Sequence, residues 1–96
     1  MVTEFAQIEV KPGMESAFIA GAAKSRSLFL AAEGCFGMGV QRSVEEPQKF
    51  LLMAQWESVD DHMVTFRESP AFQEWRDNVG HCFAAPPVVW HGQTVI

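Results

Sequence analysis

An unbroken apolar run, Phe50-Leu51-Leu52-Met53-Ala54, constrains this chain more than any other stretch. A strand with one wet face alternates apolar and polar residues, so a run without alternation belongs to a strand covered on both faces. The run is too short for a lone buried helix, and it ends in Gln55-Trp56-Glu57-Ser58. Ser58 followed by Asp61 reads as a capping-box-like helix start, and Asp60 and Asp61 suit the positive end of a helix dipole. Val59, His62, Met63 and Phe66 then recur at helical spacing. Ser69-Pro70 restarts the helix, with Ser as N-cap and Pro at the first helical position, and Phe72, Trp75, Arg76 and Val79 form the next stripe. His62 and Arg76 sit among apolar neighbours on these stripes, so each must be paired or must face a cavity.

The remaining segments supply the partners of that strand. Glu4 to Val10 alternates, with Ala6, Ile8 and Val10 on one face and Phe5, Gln7 and Glu9 on the other. Lys11-Pro12-Gly13 breaks it. Met14 to Ala32 follows the helical period, and the middle of its inner face, Gly21-Ala22-Ser25, is small, which marks close packing of helix on sheet or room for a ligand. Gly34 sits at the usual left-handed cap position. Cys35 to Val44 is a second strand, and Gly37 and Gly39 on one face admit a close neighbour. Glu45 to Gln48 is a hairpin loop. Pro86-Pro87 forbids further helix, and Val88 to Ile96 is the last strand.

The order β-α-β-β-α-β, with no linker or repeat across residues 1–96, predicts a single α+β domain of the ferredoxin-like type. Its four-stranded antiparallel sheet carries helices on one face. The central strand is nevertheless apolar on both, so the open face predicts a homodimer. Hydrophobic residues make up 48% of the chain, enough for a core without disulfide or metal staples. The net charge of −5 argues against nucleic acid or an anionic membrane as partner, and no apolar run approaches the length of a membrane span. Cys35 and Cys82 match no metal or redox spacing and read as reduced thiols of a cytoplasmic protein.

The segments Ala54-Gln55-Trp56-Glu57-Ser58, His62-x-x-x-Phe66-Arg67-x-Ser69-x-x-Phe72 and Pro87-x-Val89-x-His91 resemble the antibiotic biosynthesis monooxygenase group of dimeric α+β barrels, and the resemblance extends over nearly the whole chain. One branch of that group oxidises polyketide anthrones to quinones with molecular oxygen and without metal or flavin. A Trp, an Asn, a Tyr and an Arg line its pocket. By position these fall on Trp56, Leu52, His62 and Arg76. Another branch degrades haem, but the first strand here lacks the Asn that branch uses, which disfavours haem chemistry.

The resemblance implies a cofactor-independent oxygenase acting on a small aromatic, quinol or polyketide-like substrate. His62 would be the base, Arg76 the anion stabiliser and Trp56 a flat platform, with Leu52, Phe66, Phe72 and His91 as further substrate contacts. An unperturbed His has nearly the ideal pKa for a base at neutral pH. From the residues alone, His62 reads first as a satisfied core histidine and Trp56 as a core anchor, while Arg76 reads equally as a side chain packed along its stem. The alternative function is a small-molecule-binding or structural dimer without oxygenase activity. His62, His81 and His91 show no ligand spacing, so no metal is expected, and Arg67 and Asp77 read as solvated or paired.

Overall fold

A computed structural model describes residues 1–96. The elements are β1 (Val2–Glu9), α1 (Glu15–Leu30), β2 (Cys35–Arg42), β3 (Lys49–Trp56), a π-helical turn (Asp61–Phe66), α2 (Pro70–Val79), a 3-10 turn (Gly80–Cys82) and β4 (Val88–Gly92). The strands form one antiparallel sheet in the order β2-β3-β1-β4, with the helices on one face, the ferredoxin-like α+β arrangement.

The alternation seen in the sequence fixes which side chains meet the helices. Glu4, Ala6, Ile8 and Val10 on β1 and its end are buried, as are Phe50, Leu52, Ala54 and Trp56 on β3. From α1, Phe18, Ala22, Ser25 and Phe29 come down on them at helical spacing, and from α2, Trp75 and Val79. Phe29 packs against Trp56, Phe66 and Trp75, so the aromatic centre of the core lies under both helices. Burial of each such ring is worth about 2–3 kcal/mol. The opposite faces of β3 and β1 remain partly open: Leu51, Met53 and Phe5 are half-buried, and Phe5 stacks on Trp90 at 4.5 Å.

Three elements differ from the sequence expectation. β4 stops at Gly92 instead of Ile96, because Gly92 already pairs with Thr3 and β1 offers almost no further partner. β2 ends at Arg42, where the Arg42 side chain turns to donate to the Pro47 carbonyl at 2.8 Å. The segment after Ser58 begins with the expected cap, Asp61 N–H donating to Ser58 Oγ at 3.1 Å, and then widens into a π turn. There the Arg67 N–H reaches back to the His62 carbonyl at 3.1 Å. Such single wide turns recur at functional sites.

Within the small stripe of α1, Gly21 and Ser25 serve packing on α2, while Ala22 belongs to the core over the sheet. A Cβ on Gly21 would lie 2.5 Å from the Asn78 carbonyl oxygen. Ser25 donates to the Gly21 carbonyl at 2.7 Å and accepts from Asn78 Nδ2 at 2.9 Å. Gly34 has the left-handed φ of +79° expected at the helix end. Gly37 lies close to Gln55, whereas Gly39 has open space above it on the uncovered face. Both cysteines are free thiols. No helix is long and apolar enough to cross a membrane.

Candidate functional site

Register places the site. Glu4 lies directly across from His91 on the β1–β4 ladder, and Val2 lies across from Trp56 on the β1–β3 ladder. Side chains at these positions share the helix-facing side of the sheet near one end, and the π turn lowers His62 onto them. Glu4 is 4% exposed and His62 2% exposed. Trp56 Nε1–H donates to Glu4 Oε1 at 3.0 Å. His62 Nε2 lies 3.3 Å from the same oxygen, and His62 Nδ1 lies 2.8 Å from His91 Nε2. The indole of Trp56 stacks under the imidazole at 5.2 Å and 19°.

With Glu4 as the carboxylate, one proton arrangement suits these contacts. Glu4 Oε1 is an acceptor towards Trp56, so the adjoining His62 Nε2 is best protonated and faces it as a donor. His62 Nδ1 then accepts from His91 Nε2–H. Glu4 Oε2 has no protein partner and is not sealed off from solvent. Burial sets the charges. It pushes the Glu4 carboxyl up to about 7, although the Trp56 hydrogen bond and the Arg67 charge pull it down. It pushes His62 down to about 4, helped by His91 and Arg67, and it lowers His91, helped by Arg67. The distance between Glu4 and His62 would allow an ion pair, but desolvation opposes the charged form of each. His62 is therefore neutral at physiological pH, while Glu4 changes between acid and carboxylate near neutrality.

Glu4 and His62 form the inner end of a cleft of about 580 Å³ between the sheet and α2. Leu52, Phe72, Trp75, Phe83 and Val89 give it apolar walls, and Arg67 and Arg76 stand among its lining residues with exposed side chains. Neither guanidinium lies within ion-pair distance of a carboxylate. Arg67 lies over the Phe72 ring at 5.7 Å, which sets its stem along the wall. A second hollow of about 520 Å³ crosses Gln7, Lys49, Leu51 and Val88 at the other end of the sheet. The first is the stronger candidate because buried titratable groups converge on it. No three His, Cys, Asp or Glu side chains are arranged to hold a metal ion.

The structure sorts the residues singled out in the sequence. Leu52, His62, Phe72 and Arg76 line the cleft. Trp56 and Phe66 do not: both are core residues, and Trp56 reaches the site only through its indole N–H and its stacking on His62. His91 contacts His62 from behind and is not part of the cleft lining. Arg76 lies at the exposed flank of α2, not on its buried stripe. Two charged residues of the cleft went unrecognised as site residues in the sequence, Glu4 and Arg67. Glu4 carried a signal: it is in phase with Ala6, Ile8 and Val10, the buried face of its strand.

The family model for antibiotic biosynthesis monooxygenase matches residues 1–78. The chain belongs to the antibiotic biosynthesis monooxygenase family. The matched span includes Glu4, Trp56, His62, Arg67 and Arg76, and His91 follows it. A crystal structure of an antibiotic biosynthesis monooxygenase-type protein from Bordetella bronchiseptica is 53% identical, with a TM-score of 0.97, and the match covers 99% of this chain and 97% of that one. A Nitrosomonas europaea protein of the same type superposes with a TM-score of 0.86 over the whole of both chains at 19% identity, a likeness of fold alone. The uncharacterized Bacillus subtilis protein YczJ is 30% identical over 95 residues, 99% of this chain and 100% of that one. Within this family fold, the cleft and its buried Glu4–His62 pair are the features that bear on chemistry.

Proposed function

We propose that this family member is a cofactor-independent monooxygenase that oxidises a small aromatic, quinol or polyketide-like substrate with molecular oxygen. The observation that carries the reading is the pairing of a buried proton acceptor with two carboxylate-free arginines in one apolar cleft. Loss of a proton from a phenol or enol leaves an electron-rich anion that can pass an electron to oxygen without help from a cofactor. The reaction balances with no external reductant. A methylene group plus O₂ gives a ketone plus water, and a quinol plus O₂ gives a hydroxyquinone plus water. In this reading the Glu4–His62 pair takes the proton, Arg76 and Arg67 stabilise the anion, and Leu52 and Phe72 hold the ring. Trp56 supports Glu4 and His62 from the core instead of forming the platform.

The alternative is a small-molecule-binding or structural dimer without turnover, and the contact of His62 Nδ1 with His91 Nε2 at 2.8 Å favours it. Oxygen uptake with a hydroquinone and an anthrone separates the two. Turnover that depends on protein, and that falls when Arg76 is changed to Gln, supports the oxygenase. Binding without uptake supports the alternative.

A homodimer through the open sheet face is part of the same proposal. Trp90 and Val88 on that face are 49% and 59% exposed, and Phe5, Leu51 and Met53 extend the apolar patch across three strands. A second copy is the partner of matching chemistry, because a two-fold axis sets the same patch against itself.

A further inference from the structure

We propose that Glu4 is the catalytic residue that takes the substrate proton, and that His62 and His91 are positioning residues. This rests on the oxygenase reading above and changes the identity of its base.

Each ring nitrogen of His62 faces another polar side chain. Nδ1 is 2.8 Å from His91 Nε2, and Nε2 is 3.3 Å from Glu4 Oε1. In the proton arrangement that fits these contacts, His62 has no free lone pair to offer a substrate. Glu4 does. Its Oε1 is held by Trp56 Nε1–H and faced by His62, while Oε2 has no protein partner and Glu4 lines the cleft. One oxygen is thus fixed in the core and the other is presented to the ligand, an arrangement that orients a base with little freedom left to lose.

The surroundings suit a proton acceptor that must work near neutral pH. The titratable or charged groups facing Glu4 are His62 on the π turn, His91 on β4, Arg67 after the turn and Cys35 on β2. Both histidines are disfavoured as cations by burial, so the nearest fixed positive charge is Arg67 at the cleft. Arg67 is placed to favour the substrate anion as well as the Glu4 carboxylate. Burial holds Glu4 at about 7, close to the optimum for a base at that pH. In the step itself, the substrate O–H or acidic C–H bond breaks and its electron pair stays on the substrate. The proton bonds to Glu4 Oε2, and it leaves when water re-enters the cleft after product release.

The test is oxygen uptake by the full-length protein with 1,4-naphthohydroquinone and 1,8-dihydroxyanthrone as probes. Wild type is compared with Glu4→Gln, Glu4→Asp and His62→Gln across a pH series. The expected results are a wild-type kcat that rises with pH through a midpoint near 7, and a Glu4→Gln kcat reduced ~100-fold or more with KM little changed. Glu4→Asp restores part of the rate. His62→Gln keeps measurable turnover but moves the midpoint. Circular dichroism confirms that each variant is folded, and the wild-type pH profile stands independently of any variant. Turnover that survives Glu4→Gln within about threefold while His62→Gln abolishes it overturns the Glu4 assignment and leaves the oxygenase reading intact. No uptake by wild type above the protein-free rate with either probe overturns the oxygenase reading, and the assignment falls with it.

Discussion

Replacing Glu4 by Gln tests the electrostatics of the site without any substrate. Gln keeps the shape of Glu and an oxygen that can accept from Trp56, but it does not titrate. Burial raises the Glu4 pKa from 4.5 to about 7. A carboxyl with a raised folded pKa contributes stability that is fully present below its unfolded value and is lost as pH rises through the folded one. The wild type therefore loses stability relative to Glu4→Gln as pH rises from about 5 to about 8. With each tenfold change in proton affinity worth about 1.4 kcal/mol, the relative loss is about 2–3 kcal/mol. His62 acts in the opposite sense. Its folded pKa of about 4 means that it destabilises as pH falls below its ordinary 6.5, and because it is present in both proteins its contribution largely cancels in the difference. Urea denaturation of both proteins at several pH values, with equal m-values as the check on two-state behaviour, measures the difference directly. A flat difference means that Glu4 is not desolvated in the folded protein. A difference of opposite sign, with wild type gaining on the variant as pH rises, means that Glu4 and His62 form a charged pair, and it refutes the neutral-histidine description of the site.

Further outcomes follow from the packing and the open face. Gly21→Ala places a methyl 2.5 Å from the Asn78 carbonyl oxygen, so α1 and α2 must separate. Overpacking outweighs the gain in helix propensity, and thermal unfolding should show a net loss of about 1–2 kcal/mol. Trp90→Asp puts a charge into the exposed apolar patch, and light scattering should show a dimeric wild type and a monomeric variant at the same concentration. Arg76→Gln should lower kcat about 10- to 100-fold, more than it raises KM, because the guanidinium acts on charge that develops during the reaction.

Much of the fold was legible because it rests on periods of two and 3.6 residues. The continuous run Phe50–Ala54 announced the central strand, although only its helix-facing side is fully buried here, and the alternation from Glu4 to Val10 supplied its neighbour. Ser58 and Ser69 marked the two helical starts correctly. What local pattern cannot supply is where a strand runs out of partners, which is why β4 stops short of Ile96. Nor can it reveal the hydrogen bond from Arg67 to His62 that makes the turn π-helical.

The site was legible in part for the same reason. His62 stood out as a polar residue on an apolar stripe, and it is buried and paired. Its most important neighbour is separated from it by 58 positions in the chain and meets it only through the sheet register. A glutamate near the start of a strand resembles an ordinary exposed charge until its phase is compared with Ala6 and Ile8. Trp56 shows the converse. Its place at the end of the strand was clear, but the packing of Phe29 and Phe66 around it, which removes it from the cleft, depends on contacts between three elements.

Labelling with heavy oxygen gas during turnover tests the central claim most directly. The protein is incubated with 1,8-dihydroxyanthrone or 1,4-naphthohydroquinone, oxygen consumption is followed, and the product is weighed by mass spectrometry. A cofactor-independent monooxygenase places one labelled atom in each molecule of product for each O₂ consumed, sends the other to water and releases no peroxide. Uptake no faster than without protein, or peroxide formed in step with O₂ and no label in the product, contradicts the account.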